Sequence, residues 1–85
     1  MLMIRHSIGS RLLCQTKNYS IEKQDEHWQI SLSVDEETAS TLLEFQEELN
    51  IFDAKEKEKT WYYSSDAKVN FRPEEKMLEI GRAHV

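Results

Sequence analysis

The side chains that most often carry out chemistry are few in this sequence and lie far apart along it. The three histidines are His6, His27 and His84, and the single cysteine is Cys14. Metal sites need several His, Cys or carboxylate ligands at helix, loop or hairpin spacing, and these residues lack it. No motif places a histidine beside Cys14 as a nucleophile and base pair. We therefore predict no catalytic, cofactor-binding or metal-binding residues.

Five glutamates could resemble a carboxylate cluster. They are Glu36, Glu37, Glu44, Glu47 and Glu48, and they fall within one segment of about 13 residues. At helical spacing they share one half of the cylinder, opposite the apolar residues. This arrangement is typical of the solvated face of a surface helix, so we predict no acid–base or metal role for them.

Three consecutive aromatic residues, Trp61, Tyr62 and Tyr63, could stack nucleobases or contact a partner. Basic residues are not interleaved with them in the sequence, which favours packing in the core or between strands. Residues 22–85 hold eight Lys or Arg against 16 Asp or Glu, within a total net charge of −5. Since phosphate binding needs a basic patch, we expect no nucleic-acid partner.

The first 21 residues differ from the rest of the chain because they contain no acid. As a helix they would place Met1, Ile4, Ile8 and Leu12 on one face, near two arginines. That composition resembles a mitochondrial transit peptide, so we predict that residues 1–18 are a flexible or targeting-like segment of an intracellular protein, with mitochondria as one location and the location otherwise left open. An ordinary N-terminal strand or a disordered arm is the alternative. No apolar run approaches the roughly 20 residues that span a bilayer.

The clearest strand is "HWQISLSV", which alternates apolar and polar residues with a period of two. A preceding run from Tyr19 alternates as well, and folding the two together about Asp25-Glu26 places apolar residues on one face. The predicted pairs are Tyr19 with Leu32, Ile21 with Ile30, and Lys23 with Trp28. We expect a hairpin loop of about four residues, from Gln24 to His27.

A helix is predicted to begin at Asp35, whose carboxylate would cap it. An apolar stripe extends that helix to about Phe52, and the predicted stripe contains Ala39, Leu42, Leu43, Phe45, Leu49 and Phe52. A third strand follows from about residue 67. "PEEKMLEI" then has the chemistry of a first helical turn. Its alternative is a hairpin that pairs Phe71 with Leu78 and Val69 with Ile80.

The C-terminal sequence "IGRAHV" matches the codons at the start of a common short-read sequencing adapter, read in one frame. We predict that residues 80–85 are a sequencing-adapter artefact and that the natural protein is longer. Such scars are excluded from fold reasoning, so Arg82 and His84 receive no functional weight. The alternative is a native C-terminus without regular structure.

These elements predict a single small α+β domain over residues 19–79, truncated before its end. Its order would be a β-hairpin, a helix packed on one sheet face, a third strand and the start of a second helix, or ββαβ(α). For function we predict a non-catalytic domain that binds or assembles with another protein, with an accessory subunit of an organellar complex as one form. Whether the chain is an enzyme is left open.

The alternative function is the N-terminal fragment of an enzyme with an incomplete site. "HWQISLSVDEETASTLLEFQEEL" followed by "TWYYSSDAKVNF" resembles the strand–helix–strand opening of the two-histidine phosphoesterases. In that family a tryptophan often lies seven residues before a His-x-Thr motif. Here Trp61 is followed seven residues later by Lys68-Val69-Asn70, so the histidine and threonine are absent. The resemblance implies phosphodiester chemistry for a longer protein but transfers no catalytic residue to this chain.

Overall fold

Two four-stranded antiparallel sheets and one short helix make up the protein, in a computed structural model that describes all of residues 1–85. Sheet A has the strand order β2-β1-β5-β6, and sheet B has the order β3-β4-β8-β7. The elements are β1 (Leu2–His6), β2 (Leu12–Thr16), β3 (Tyr19–Gln24), β4 (His27–Ser33), α1 (Glu36–Glu44), β5 (Leu49–Ala54), β6 (Lys59–Tyr63), β7 (Lys68–Arg72) and β8 (Met77–Ala83).

The predicted α+β arrangement is therefore wrong, because the protein is mostly β. Apolar residues from both sheets form one core, and α1 adds Ala39 and Leu42 to it. The helix contacts β2 and β7, which are edge strands of different sheets, instead of lying on one sheet face. The fully buried large side chains of the core come from β1, β4, β5, β8 and α1: Leu2, Ile4, Ile30, Leu32, Leu42, Leu49, Ile51, Leu78 and Ile80.

The β3–β4 hairpin has the predicted register. Tyr19 pairs with Leu32, Ile21 with Ile30, and Lys23 with Trp28. The strands continue to a pair between Gln24 and His27, so the loop is the two residues Asp25 and Glu26 instead of four. Asp25 adopts a left-handed backbone conformation with φ of 55°, which aspartate tolerates better than most residues.

The helix begins as predicted and ends earlier than predicted. Asp35 accepts a hydrogen bond from the Thr38 amide at 2.7 Å, which satisfies one free donor of the first turn. The helix stops at Glu44, and the segment that was predicted to complete it is β5. Leu49 and Ile51 are buried on alternate positions of this strand. The predicted helical stripe used Leu49 and Phe52, which are three residues apart, whereas Leu49 and Ile51 have strand spacing, and pairing with β1 decides for the strand.

Residues 1–18 contain two strands of sheet A. β1 lies between β2 and β5, and the side chains of Leu2 and Ile4 are fully buried. Met3 pairs with Phe52, and Ile4 pairs with Ile51. The helical spacing of the apolar residues in this segment is therefore not used for a helix. The structure agrees with the alternative of an N-terminal strand and does not test import into an organelle.

The predicted second helix after Pro73 is wrong, and the alternative hairpin is present. Phe71 pairs with Leu78 and Val69 with Ile80, as that alternative required. The four residues from Pro73 to Lys76 form the connecting turn, which ends with Lys76 at φ 51°. Proline is favoured both at the first position of a helix and at the second position of a β-turn, so Pro73 was compatible with either structure.

Residues 80–83 continue β8, and the side chains of Ile80 and Ala83 are fully buried. The pairing of β8 with β4 shifts register between Trp28 and Ile30. Close to this irregularity, Arg82 has a φ of 61°, a conformation that costs energy in a non-glycine residue. The strand is regular up to Ile80 and irregular after it. The adapter origin predicted for residues 80–85 is a statement about the sequence, which the fold does not test.

No helix here has the length and apolar character needed to cross a membrane.

Candidate functional site

Of the three histidines, the fold separates His6 from the other two and brings His27 and His84 together. His6 lies in β1, where its Nε2 is 2.8 Å from Glu48 Oε1 and its ring lies 4.2 Å from the ring of Phe45. His27 and His84 meet each other instead, with ring centroids 5.1 Å apart. Sequence reasoning missed this pair because the two residues are 57 positions apart and only the pairing of β4 with β8 brings them together.

His27 lines an open polar pocket of about 690 Å³, and His84 lies beside Asp66 of the same lining. His84 Nε2 lies 3.3 Å from Asp66 Oδ2, but the atoms are not aligned for a hydrogen bond, and this nitrogen has no other partner. The pocket is lined by His27, Glu47, Ser65, Asp66, Ala67, Lys68 and Arg82. Two carboxylates therefore accompany two permanent cations, and the lining has no excess of either charge.

This pocket does not carry a functional assignment. Arg82 of the lining, and His84 beside Asp66, belong to the segment that the sequence predicts to be adapter-derived. The backbone leaves the favoured region at Arg82. No group of three or more His, Cys, Asp or Glu side chains in the protein is arranged to hold a metal ion.

The five glutamates predicted to form a solvated helix face are all exposed, but the helix ends at Glu44, so Glu47 and Glu48 lie outside it. Glu44 ends the helix, Glu47 lines the polar pocket, and Glu48 contacts His6. Cys14 is half-buried in β2, opposite Ile4. Burial, followed by the nearby Asp35 carboxylate, raises the pKa of the Cys14 thiol, which disfavours the reactive thiolate.

The three consecutive aromatic residues point to opposite sides of sheet A. Tyr62 is buried, and its ring meets the ring of Trp28 edge to face, with centroids 5.5 Å apart. Trp61 and Tyr63 point outward and remain 54% and 39% exposed. The prediction of packing in the core or between strands therefore holds for Tyr62 in the core and for Trp61, whose ring packs on Phe52 of the neighbouring strand. The period-two alternation of a strand could have separated these residues, had the strand been predicted to start at Lys59.

Strand pairing extends the outward aromatic pair into a continuous surface. Phe52 of β5 pairs with Trp61, and Met3 of β1 pairs with Phe52, so these side chains occupy one row across three strands. The Phe52 and Trp61 rings are nearly parallel, with centroids 6.4 Å apart, and Tyr63 lies 6.4 Å from Trp61. We call these four residues, Met3, Phe52, Trp61 and Tyr63, the aromatic face.

Polar groups hold the aromatic face in place. The Trp61 indole Nε1 donates a hydrogen bond to Asn50 Oδ1 at 3.1 Å. The Lys59 ammonium lies 4.6 Å from the centroid of the Phe52 ring, within cation–π range. Arg5 pairs with Asn50 on the same side of the sheet and donates to the Ser10 carbonyl at 2.9 Å.

The charge on this side of sheet A differs from that of the whole protein. The outward residues of β1, β5 and β6 include Arg5 and Lys59 and no carboxylate: they are Met3, Arg5, Asn50, Phe52, Ala54, Lys59, Trp61 and Tyr63. The protein as a whole has a net charge of −5. The sequence does not reveal this grouping, since Arg5 lies 56 residues before Trp61. Cross-strand pairing alone interleaves the cations with the aromatic rings.

Comparisons with known proteins add no relative. No protein-family model matches the sequence, and neither a curated protein nor a solved structure matches it significantly. The resemblance to the two-histidine phosphoesterases gains no support from these searches. The segment "TWYYSSDAKVNF", which supplied the last strand of that resemblance, forms β6 in sheet A and β7 in sheet B, with a turn between them.

Proposed function

We propose that the chain is a protein-binding domain that docks a partner on the aromatic face. The observation that carries the proposal is the outward placement of Trp61 and Tyr63 on a sheet surface that has two cations and no carboxylate. Tryptophan, tyrosine and arginine are the residues most enriched among the energetic centres of protein interfaces. Single exposed apolar residues are common on protein surfaces, whereas a contiguous group of them indicates a contact site.

Preorganisation is the second argument for this surface. Binding costs free energy when mobile side chains must be ordered, by about 0.5–1.5 kcal/mol for each rotamer-rich side chain. The indole of Trp61 is already oriented by Asn50, and the Phe52 ring is flanked by Trp61 and the Lys59 ammonium. A partner therefore meets a surface whose central rings are positioned before contact.

Charge complementarity defines the chemistry of the partner. The aromatic rings favour an apolar centre, and the cations Arg5 and Lys59 favour carboxylates beside it. We infer that the partner presents a segment with aliphatic or aromatic residues flanked by Asp or Glu. Because the rest of this protein is acidic, attraction is confined to the neighbourhood of the two cations. Binding is therefore expected to depend only moderately on salt.

Selection from a random peptide library against the purified protein tests this proposal. Enriched peptides should combine an apolar centre with acidic residues, and Trp61→Ala should weaken their binding by about 30-fold or more, the effect of losing about 2 kcal/mol at an interface centre. Ile8→Ala is the matched control, because Ile8 is 69% exposed and lies outside the aromatic face. It should leave the affinity unchanged.

Two results would contradict the proposal. Enriched peptides that bind Trp61→Ala as tightly as the unmodified protein would place the contact elsewhere. Tight, Trp61-dependent binding of a single-stranded oligonucleotide, with no peptide enriched, would make the face a nucleobase-stacking surface instead. Circular dichroism must first show that Trp61→Ala stays folded, which its exposure predicts.

The organellar location of the partner is part of the proposal and is constrained by the fold. Since Leu2 and Ile4 are buried in sheet A, residues 1–18 are available to an import receptor only before folding. Removal of these residues after import would also remove β1 and β2. A reporter fused to residues 1–18 should reach mitochondria, and the double substitution Arg5→Glu and Arg11→Glu should prevent its import. A reporter that stays in the cytosol would contradict the proposed mitochondrial location and would leave the binding proposal intact.

A further inference from the structure

The outermost strand of sheet A on the side of the aromatic face, β6, pairs with β5 along one edge only. In an antiparallel pair, the backbone N–H and C=O groups of successive residues point alternately toward the partner strand and away from it. The Lys55 N–H donates to the Glu58 carbonyl at 2.7 Å in the turn between β5 and β6, which fixes the phase of this alternation. It follows that Lys59, Trp61 and Tyr63 direct their backbone groups away from β5, toward the other edge of the strand.

Tyr63 confirms this direction and shows what kind of backbone the edge accepts. Its N–H donates to the His84 carbonyl at 2.8 Å, and its own carbonyl accepts from the His84 N–H at 3.0 Å. These two residues form an isolated antiparallel bridge. The backbone groups of Trp61 and Lys59 have no such partner within the protein. Open backbone groups at a sheet edge are a template for pairing with one more strand.

The open backbone groups belong to residues whose side chains form or flank the aromatic face. Trp61 and Lys59 are exposed, and both side chains lie on the outer side of sheet A. A strand added to β6 would place its own side chains beside Trp61, at the end of the row that contains Met3 and Phe52. In strand addition, main-chain hydrogen bonds supply affinity and alternate side chains supply specificity.

We propose that the partner segment docks as an antiparallel β-strand paired with Trp61 and Lys59, a binding mode that rests on the proposed function of the aromatic face. The partner residue opposite Trp61 exchanges two backbone hydrogen bonds with it. Its side chain is apolar and β-branched or aromatic, since such residues pair well with an aromatic residue across strands. Two positions further along, the residue opposite Lys59 is Asp or Glu. The partner strand therefore carries the pattern apolar-x-acidic.

Two features of the edge define the occupant. The bridge to His84 engages the backbone groups of Tyr63, so pairing with the partner begins at Trp61 and continues toward Lys59. A second copy of β6 is a poor occupant because its outward residues, Lys59, Trp61 and Tyr63, include no carboxylate. Charge complementarity therefore favours an acidic strand of a different protein over self-association.

A synthetic peptide with this pattern, acetyl-Ser-Thr-Ile-Thr-Glu-Thr-Ser-amide, tests the pairing by NMR titration of the isotope-labelled protein. N-methylation of the peptide's isoleucine removes an N–H that must bond to Trp61, and it should weaken binding by at least about 10-fold. N-methylation of the next threonine is the matched control, because that N–H points away from β6. It should change the affinity by less than about 2-fold, since an N–H on the far side of the strand makes no bond to the protein.

Two further measurements locate the strand on the edge. Lys59→Glu should reverse the preference of the protein, so that a peptide with lysine in place of glutamate binds more tightly than the original, because opposite charges directly across strands attract. In the unmodified protein, saturation with the original peptide should slow hydrogen exchange of the Trp61 amide by at least about 10-fold. The Tyr62 amide, which faces Ile51 inside the sheet, is the internal control.

Three results would overturn strand pairing. The first is no binding of the synthetic peptide, and the second is equal binding of its two N-methylated forms. In either case, library peptides that still bind in a Trp61-dependent manner would leave the proposed function intact, whereas a library without such peptides would refute that function itself. The third is dimerisation at increasing protein concentration that protects the Trp61 amide without peptide, because a second copy would then occupy the edge.

Discussion

Substitution of Ile4 by alanine tests whether the first 18 residues belong to the folded domain. The Ile4 side chain is fully buried in β1, beside Cys14 on one neighbouring strand and Ile51 on the other. Burying an isoleucine is worth about 1.5–3 kcal/mol, and the cavity left by truncation brings the expected loss to about 2–5 kcal/mol. A domain of this length has a total stability of roughly 4–13 kcal/mol, so the loss is a large share of it.

The assay is urea unfolding followed by tryptophan fluorescence, to which Trp28 contributes because it is half-buried against Tyr62. At about 4–8 °C for each kcal/mol, Ile4→Ala should also lower the Tm by about 10 °C or more. Ile8→Ala is the matched control, because the same atoms are removed from the loop between β1 and β2, where Ile8 is 69% exposed. It should change the stability by less than about 0.5 kcal/mol.

Equal, small effects of Ile4→Ala and Ile8→Ala would refute this reasoning. Residues 1–18 would then be unpacked, as expected of a flexible or targeting segment. If Ile4→Ala does not fold, Ile4→Val gives the graded version, with an expected loss of about 0.5–1.5 kcal/mol. An unchanged dependence of the unfolding free energy on urea would show that the substitution altered stability and not the extent of unfolding.

Three further predictions concern the core, the C-terminal strand and pH. Leu42→Ala should cost about 2–5 kcal/mol in urea unfolding because the side chain is fully buried, whereas Glu44→Ala should cost less than about 0.5 kcal/mol; similar values would mean that the helix face is misassigned. Ile80→Ala should likewise cost about 2–5 kcal/mol, and deletion of exposed Val85 almost nothing; an Ile80→Ala protein of unchanged Tm would support exclusion of residues 80–85 from the native fold. The pKa of Tyr19 is raised to about 12, so the folded state holds this proton more tightly than the unfolded state, and the free energy of unfolding should fall as pH rises from about 10 to about 12. Tyr19→Phe should flatten this dependence of stability on pH. An unchanged dependence would contradict the hydrogen bond between the Tyr19 hydroxyl and Asp53.

Local patterns in the sequence predicted three features of the fold correctly, one of which is the strand from about residue 67, observed as β7. The β3–β4 hairpin has the expected register, because alternation in both strands and a short connection leave one pairing that buries all the apolar residues together. The Asp35 cap was also predicted, since capping depends on a side chain and an amide three residues apart. Each feature is decided by contacts between residues close in sequence.

Other features depended on partners that local patterns do not reveal. The spacing from Leu49 to Phe52 allowed a helix or a strand, and the decision for β5 came from pairing with β1, about 47 residues earlier. Pro73 allowed a helix start or a turn, and the pairing of Leu78 with β4 and β7 decided for the turn. An apolar residue at a strand-compatible position becomes a core residue only when a second strand is present to cover it.

The aromatic face also combines features that the sequence determines with features that only the tertiary structure decides. The sequence alone determined that the chain has many charges, few glycines and no set of ligands or nucleophiles at a catalytic spacing. It also placed three aromatic residues together at Trp61, Tyr62 and Tyr63. Only the tertiary structure decided which of them face solvent, and only strand pairing set Arg5 and Lys59 beside them. Side-chain direction in a strand follows from the alternation of the backbone, but which direction is outward is decided by the opposite sheet that buries the other face.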